Sequence, residues 1–231
     1  MVSDISIVLQ INQLTQRSVF FDNLMVIFVS NNLIKSIPIV SAIWYFWFLK
    51  SPNKCDNQNT IIATLIAGLT GLVTARALAL TLPFRLRPMH EGSLNLQLPF
   101  GFERQSLHGW SSFPSDHAVL FFALSTGIFF ISRRVGWALF LYTIVFTAFP
   151  RLYVGLHYPT DLLGGMIFGA LWASLIIRLF KKSNALLAVI RASEDHPQFF
   201  YPVFGFLLFQ LSEMFDSVRI IVGAFHHQFL H

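Results

Sequence analysis

Long apolar runs alternate with short polar stretches along most of this chain. Runs that read as spanning helices lie at residues 60–82, 115–132, 135–150 and 159–180. A run of about 20 apolar residues can cross the ~30 Å hydrocarbon core of a bilayer as a helix. The pattern therefore predicts an all-α integral membrane helical bundle.

The apolar pattern is weaker at both ends of the chain. Residues 4–16 predict a short interfacial helix, and residues 19–34 an interfacial or half-buried helix broken by polar side chains. Residues 36–49 end in an aromatic belt, and because this run is short we expect its helix to begin near Asn32. Residues 198–225 predict a final helix, spanning or partly so, with charged residues at i,i+3 spacing. Counting that tail, we predict about six transmembrane helices.

Polar segments separate these runs and predict loops at residues 50–59, 83–113 and 183–197. Basic residues are unevenly divided between the two sides that the helices define. Eight lie on one side (Lys50, Lys54, Arg133, Arg134, Arg178, Lys181, Lys182, Arg191) and four on the other (Arg85, Arg87, Arg104, Arg151). Cytoplasmic loops carry the excess of basic residues, so the loop at 83–113 and residues 151–161 are expected to face the outside.

Composition supports the membrane class. Only 12% of the residues are charged, against about 25% in a soluble domain. The formal charge of +5 fits the positive-inside bias, and no basic stretch resembles a nucleic-acid patch. Cys55 is the only cysteine, so we expect neither an intramolecular disulfide nor a thiolate metal site.

The first candidate chemistry lies where residues 115–132 begin. Pro114 favours the first turn of a helix, with Ser112 as its N-cap. The N–H groups of Ser115, Asp116 and His117 would then face outward, and such a helix start suits a phosphate. The Ser115 hydroxyl adds a donor, and His117 can exchange protons near neutral pH.

A second group surrounds the start of residues 159–180. Asp161 lies in the first turn and can accept a hydrogen bond from one ring nitrogen of His157, which leaves the other nitrogen as a nucleophile. Arg151 offers a planar fork to phosphate oxygens. Arg85 and Arg87 form a third group, and they are close enough in sequence to serve one site. Polar groups at a membrane edge are costly and usually functional.

Simpler explanations exist for each residue alone. An arginine at a membrane edge is more often an anchor than a ligand contact, and Ser-Asp at a helix start is usually a cap. Three anion-suited groups on one membrane face make coincidence a poor explanation. Gly164, Gly165 and Gly169 predict close helix packing, not chemistry.

The three groups resemble the type 2 phosphatidic acid phosphatase (PAP2) superfamily. Its third motif, Ser-Arg-x5-His-x3-Asp, is nearly complete at residues 151–161, with Pro150 in place of serine. Its second motif, Pro-Ser-Gly-His, reads Pro-Ser-Asp-His at residues 114–117. Its first motif, Lys-x6-Arg-Pro, keeps Arg87 and the following proline, but Leu80 stands where lysine is expected.

The resemblance covers about residues 60–180 and implies roles for the matching residues. His157 would attack phosphorus to form a phosphohistidine, Asp161 would orient it, and His117 would protonate the leaving oxygen. The phosphate would be bound by Arg87, Arg151, Ser115 and the Asp116 backbone, with Arg85 or Arg76 replacing the missing lysine. The family needs no metal, and no cofactor is expected.

The segment Phe-Pro-Ser-Asp-His-Ala and the early segment Phe-Phe-Asp-Asn resemble the corresponding segments of bacterial undecaprenyl-diphosphate phosphatases of the bacitracin-resistance type. This resemblance implies an enzyme of the bacterial plasma membrane whose partners are membrane lipids and a lipid phosphate or diphosphate. Alternatives are a phosphatidic acid or phosphatidylglycerophosphate phosphatase, a lipid phosphotransferase and a non-catalytic lipid-binding protein. The expected division is residues 1–34 (interfacial helices), 35–182 (catalytic membrane domain) and 183–231 (polar loop and final helix). Oligomeric state is left open.

Overall fold

A computed structural model describes residues 2–103, 107, 109–181 and 183–216. These residues form helices and loops, with no β-strand among them. The helices are α1 (Val2–Asn12), α2 (Val19–Ser30), α3 (Asn32–Phe48), α4 (Lys54–Thr81), α5 (Asp116–Ile131), α6 (Arg133–Thr143), α7 (Phe149–Tyr153), α8 (Pro159–Phe180), α9 (Asn184–Asp195) and α10 (Pro197–Ser212). A π-helical turn, Ile144–Ala148, joins α6 to α7.

The predicted all-α membrane bundle is confirmed, but fewer helices than six qualify as spans. Within the described residues, three are long and apolar enough to cross a membrane: α4, α8 and the continuous stretch Arg133–Tyr153. The pair α2 and α3 adds a fourth if the two count as one span bent by 58°. Helix α5 is apolar but has only 16 residues, which is about 24 Å at the usual helical rise.

Glycines hold α5 close to its two neighbours. A Cβ atom at Gly127 of α5 would lie 1.9 Å from the Thr64 hydroxyl oxygen of α4, and one at Gly169 of α8 would lie 2.3 Å from the Val119 carbonyl oxygen of α5. A Cβ at Gly165 would lie 2.8 Å from the Ser115 carbonyl oxygen. Close helix packing at Gly165 and Gly169 is thus confirmed. It draws together the starts of α5 and α8, where the candidate residues lie.

Two segments expected to be loops contain helix. Helix α4 begins at Lys54, inside the polar stretch 50–59. Residues 183–197 contain α9, whose Leu186 and Ile190 are buried one turn apart while the remaining face is largely exposed. Polar composition concealed this amphipathic helix because only one narrow face of it is apolar.

The C-terminal tail differs from the predicted helix over 198–225. Helix α10 ends at Ser212, and Met214 and Phe215 adopt positive φ angles of 53° and 60°. These two residues break the helical spacing expected between Glu213 and Asp216. Residues 217–231 lie outside the described part of the chain.

The N-terminal helices pack against the bundle near the starts of α5 and α8. Asn31 separates α2 from α3: its N–H donates to the Ile27 carbonyl at 2.8 Å, and its side chain accepts from the Ile34 N–H at 3.1 Å. The predicted start of a helix near Asn32 is therefore confirmed, and the proposed domain boundary at 34/35 falls inside α3. The bend turns Lys35 towards the interior.

Candidate active site

A cavity of about 250 Å³ opens where the starts of α3, α5 and α8 meet the end of α4. Its wall combines two histidines with four cationic side chains, namely His117, His157, Lys35, Arg76, Arg87 and Arg151. The structure thus brings together residues from both histidine-containing motifs and from the first motif. The arrangement suits a small, highly charged anion.

His157 is held as a neutral imidazole with a defined tautomer. Its Nδ1 lies 2.9 Å from the Ser112 carbonyl oxygen, which can only accept, so the ring proton is on Nδ1. Its Nε2 therefore carries the lone pair and accepts from the Arg87 guanidinium at 3.2 Å. Burial lowers the pKa of His157 to about 4; nearby Asp161 opposes that change and Arg87 adds to it. The ring is accordingly uncharged at neutral pH.

Asp161 lies next to His157 but is not its hydrogen-bond acceptor. Its Oδ2 is 3.8 Å from His157 Nδ1 and instead accepts from the Ser112 hydroxyl at 2.5 Å and from the Tyr158 N–H at 2.8 Å. The expectation that Asp161 fixes the tautomer directly is replaced by an indirect arrangement. Ser112 links the two residues, since its hydroxyl binds the carboxylate and its carbonyl binds the ring.

Arg85 contacts Asp161 from the side away from the cavity, called the rear side below, and is not among the residues lining the cavity. Its Nη1 donates to the second oxygen of Asp161 at 2.5 Å and to the Thr160 hydroxyl at 2.8 Å, while its Nη2 lies 2.9 Å from Asp4. The guanidinium also lies over the Tyr158 ring, 4.2 Å from its centroid. The expected contact between Arg85 and phosphate stays a prediction, and in this structure the Arg85 donors are directed at carboxylates, which favours a positioning role.

Asp4 of α1 completes this rear network. Burial raises its pKa, but hydrogen bonds from Thr160 and Arg85 outweigh that effect, so the net pKa is below its ordinary value. The carboxylate is therefore ionised at neutral pH. Helix α1, remote in sequence, thus braces the start of α8.

Arg87 is fixed by backbone carbonyls and not by a carboxylate. It donates to the carbonyls of Trp110 and Ser111 at 3.3 Å and to that of Leu156 at 3.0 Å. Burial lowers its pKa to about 10, with Asp116 and Asp161 acting in the opposite direction. Arg87 therefore remains a cation at neutral pH, and its guanidinium touches the His157 lone pair.

Arg151 and Arg76 approach the cavity from different helices. Arg151, at the end of α7, is buried and donates to the Thr147 carbonyl at 3.0 Å. Arg76, near the end of α4, pairs with Asp116 at 2.5 Å and lies over the Trp110 ring. The Asp116 carboxylate thus neutralises part of the charge that Arg76 brings.

The helix that follows the second motif, α5, begins at Asp116, which is later than the expected N-cap at Ser112 implies. Ser115, and not Ser112, is the N-cap of α5, and its N–H donates to the Asp161 carbonyl at 3.3 Å. Ser115 is fully buried, and its hydroxyl has no hydrogen-bond partner within the described residues. It is not among the cavity-lining residues, unlike Asp116 and His117. Binding of phosphate by Ser115 stays a prediction.

Sequence reasoning missed Lys35 and Asp4. Lys35 is a lysine within an apolar helix, and an ionisable group in such a run is by default a functional candidate, so a signal for it existed. Asp4 carried no signal, because its partners Arg85 and Thr160 lie far along the chain. Leu80, at the position expected for lysine, is 79% exposed on the outer surface of α4 and cannot substitute for it.

Comparisons with known proteins identify the family of this chain. Residues 59–185, more than half of the chain, match the model of the PAP2 superfamily. The undecaprenyl-diphosphatase BcrC of Bacillus subtilis (strain 168) is 27% identical over 168 residues, covering 73% of this chain and 79% of that protein. The putative undecaprenyl-diphosphatase YbjG of Escherichia coli (strain K12) is 24% identical over 143 residues, covering 62% and 66%.

A shorter match is the lipid A 4'-phosphatase of Bacteroides thetaiotaomicron, which is 36% identical over 80 residues, covering 34% of this chain and 36% of that protein. No solved structure is significantly similar to the chain. From the extent of the family match, the chain belongs to the PAP2 superfamily. It is a lipid phosphatase of the membrane-embedded kind.

Proposed function

We propose that this protein hydrolyses undecaprenyl diphosphate, or a closely related polyprenyl diphosphate, through a phosphohistidine intermediate on the outer face of the bacterial plasma membrane. One observation carries the proposal. His157 is neutral, its Nδ1 proton is committed to Ser112, and its lone pair borders a cavity that also contains His117 and buried cations. The names of two relatives supply the substrate class.

In the first step, Nε2 of His157 attacks the terminal phosphorus. A nitrogen–phosphorus bond forms, the bond from phosphorus to the bridging oxygen breaks, and His117 donates a proton to that oxygen. His117 acquires this proton when the diphosphate enters the cavity, because the negative charge of the substrate favours the imidazolium form. The imidazole becomes positively charged, and the Asp161 carboxylate at 3.8 Å stabilises that charge. Arg87 transfers its donors from the His157 lone pair to the phosphoryl oxygens.

In the second step, water attacks the phosphohistidine. His117, now without its proton, accepts one from the water, and the nitrogen–phosphorus bond breaks to release inorganic phosphate. His157 returns to its neutral form with the proton still on Nδ1. Both steps place negative charge among Arg87 and Arg151, which are preorganised by carbonyl contacts and do not need to be recruited.

The outward orientation rests on the loop charges. Four cations line the cavity itself and are left out when the basic residues on the two sides of the membrane are counted: Lys35, Arg76, Arg87 and Arg151. The described loops and helix ends then carry Arg17 and Arg85 on the cavity side, against Lys50, Lys54, Arg133, Arg134, Arg178, Lys181 and Arg191 on the other. Arg104 and Lys182 lie outside the described residues. This bias favours a cavity on the outer face.

Purified protein in lipid–detergent micelles tests the activity. We expect phosphate release from undecaprenyl diphosphate in the presence of a chelator, and a loss of about 10³-fold or more in His157→Ala. Substrate labelled in its terminal phosphate should leave an acid-labile, alkali-stable label on wild type and on His117→Ala, but none on His157→Ala. His196→Ala is the matched control, because His196 is exposed near the opposite end of the bundle. Undiminished turnover in His157→Ala would refute the mechanism.

Cysteine labelling of intact cells tests the orientation. In a Cys55→Ser background, we expect Ser93→Cys to react with an impermeant maleimide and Arg134→Cys to require a permeant one. Both positions are exposed at opposite ends of the bundle, so accessibility does not bias the result. The reverse labelling pattern would place the cavity in the cytoplasm.

A further inference from the structure

Lys35 is a buried cation that the proposed mechanism does not use. It lies in the first turns of α3, and only 1% of its surface is exposed. Its Nζ donates to the Val29 carbonyl at 2.9 Å, across the bend between α2 and α3. That carbonyl is at the end of α2, where intrahelical donors are missing. Lys35 also lines the cavity.

The charge of Lys35 is only partly balanced, because Asp216 lines the same cavity and acts on Lys35 electrostatically. Within the described residues, no carboxylate lies within ion-pair distance of it, and one carbonyl is its only hydrogen-bond acceptor. An ammonium group has three donors, so two remain available. The start of a helix adds further positive potential. A buried charge in this setting is costly until an anion binds beside it.

Arg76, the other candidate for the cation missing at Leu80, is already committed. It pairs with Asp116, lies over the Trp110 ring, and about a third of its side chain is exposed. Lys35 is better placed to bind an additional anion, because it is buried against the cavity and makes no ion pair with a carboxylate of the described residues. The lysine expected on α4 would thus have a functional counterpart on α3.

Lys35 shares the cavity with the proton donor of the proposed mechanism. Both Lys35 and His117 line it, and the charge of Lys35 is among those that act most strongly on His117. An anion that receives a proton from His117 therefore lies within the field of Lys35.

We propose that Lys35 is a substrate-binding residue that holds the phosphoryl group remaining on the lipid when the terminal phosphoryl group is transferred to His157. This inference rests on the proposed function. In a lipid diphosphate, the leaving group is a lipid monophosphate, whose oxygens meet the Lys35 ammonium group. In a lipid monophosphate, the leaving group is a neutral alcohol with nothing for Lys35 to bind. Lys35 is accordingly a determinant of selectivity for diphosphate over monophosphate.

The decisive variant is Lys35→Gln, which keeps a donor for the Val29 carbonyl and removes only the charge. We expect its KM for undecaprenyl diphosphate to rise by about 10- to 100-fold, the range for a charge-assisted hydrogen bond, with less than about a threefold change for undecaprenyl monophosphate. Lys35→Arg should recover much of the difference. Lys54→Gln is the matched control, since Lys54 pairs with Glu194 away from the cavity.

Protection against thermal unfolding by added anions separates this inference from the proposed function. Inorganic pyrophosphate should protect wild type against thermal unfolding at lower concentration than phosphate does, and Lys35→Gln should abolish that difference. This readout holds even if undecaprenyl diphosphate is not hydrolysed, in which case only the proposed function fails. An unchanged ratio of pyrophosphate to phosphate affinity in Lys35→Gln would show that Lys35 only ties down the α2–α3 bend.

Discussion

The segment from Leu156 to Asp161 separates two differently balanced groups of charge. On its rear side, Arg85 binds Asp161 and Asp4, so each charge has an opposite charge within hydrogen-bond distance. On its cavity side, Arg87 binds only neutral partners, namely backbone carbonyls and the His157 ring. Two arginines that lie two residues apart in sequence thus have different environments.

This difference separates positioning from binding. A cation neutralised within the protein has its geometry fixed and has little to offer a ligand. A buried cation held by carbonyls keeps its full charge, and an incoming anion repays the desolvation that burial cost. The rear group therefore shapes the site, and the cavity group acts on the substrate.

The sharpest test of this contrast is Arg87→Ala. We expect kcat/KM to fall by about 10²- to 10³-fold, because a preorganised donor to the transferred phosphoryl group is lost. Phosphate release at subsaturating substrate measures the effect, with Arg133→Ala as an exposed arginine control. A decrease smaller than that of Arg85→Gln would reverse the assignment of the two arginines.

Arg85→Gln should have an intermediate effect of another kind. We expect kcat to fall by about 10- to 100-fold, as for other residues that orient a functional group through a partner, with KM changed less than about threefold. Asp4→Asn should show the same signature more weakly, since it acts one contact further away. A selective rise in KM would instead mean that Arg85 reaches the substrate.

The smallest expected effect is on stability at acid pH. His157 has a folded-state pKa of about 4 and an unfolded value of about 6.5. Between these values the unfolded chain binds more protons, so stability falls as pH falls from about 6.5 towards 4, by at most about 1.4 kcal/mol per pH unit. We expect His157→Gln to show a shallower decline in thermal midpoint over this window. Parallel declines would mean that folding does not lower the pKa of His157.

The sequence allowed prediction of the residues that share a local motif. His157, Asp161 and Arg151 lie within one turn-rich stretch, and the helix starting near His117 followed from the proline before it. The network around them was not predictable, because Ser112 joins Asp161 across 49 positions and Asp4 joins Thr160 across 156. Long-range hydrogen bonds leave no periodic trace in a sequence. Lys35 was not predicted for a different reason, since the first motif requires its lysine on α4 and Lys35 lies on α3.

The contact between Arg87 and Nε2 of His157 has a consequence for inhibition. At rest, the lone pair that performs the chemistry is occupied by a guanidinium hydrogen, so it is shielded from neutral electrophiles. Only a ligand that competes for the guanidinium can uncover it, and phosphate oxygens are good competitors. Binding of the substrate thus exposes the nucleophilic Nε2 of His157. Covalent reagents directed at His157 should therefore need a negative charge, and uncharged alkylating agents should spare it.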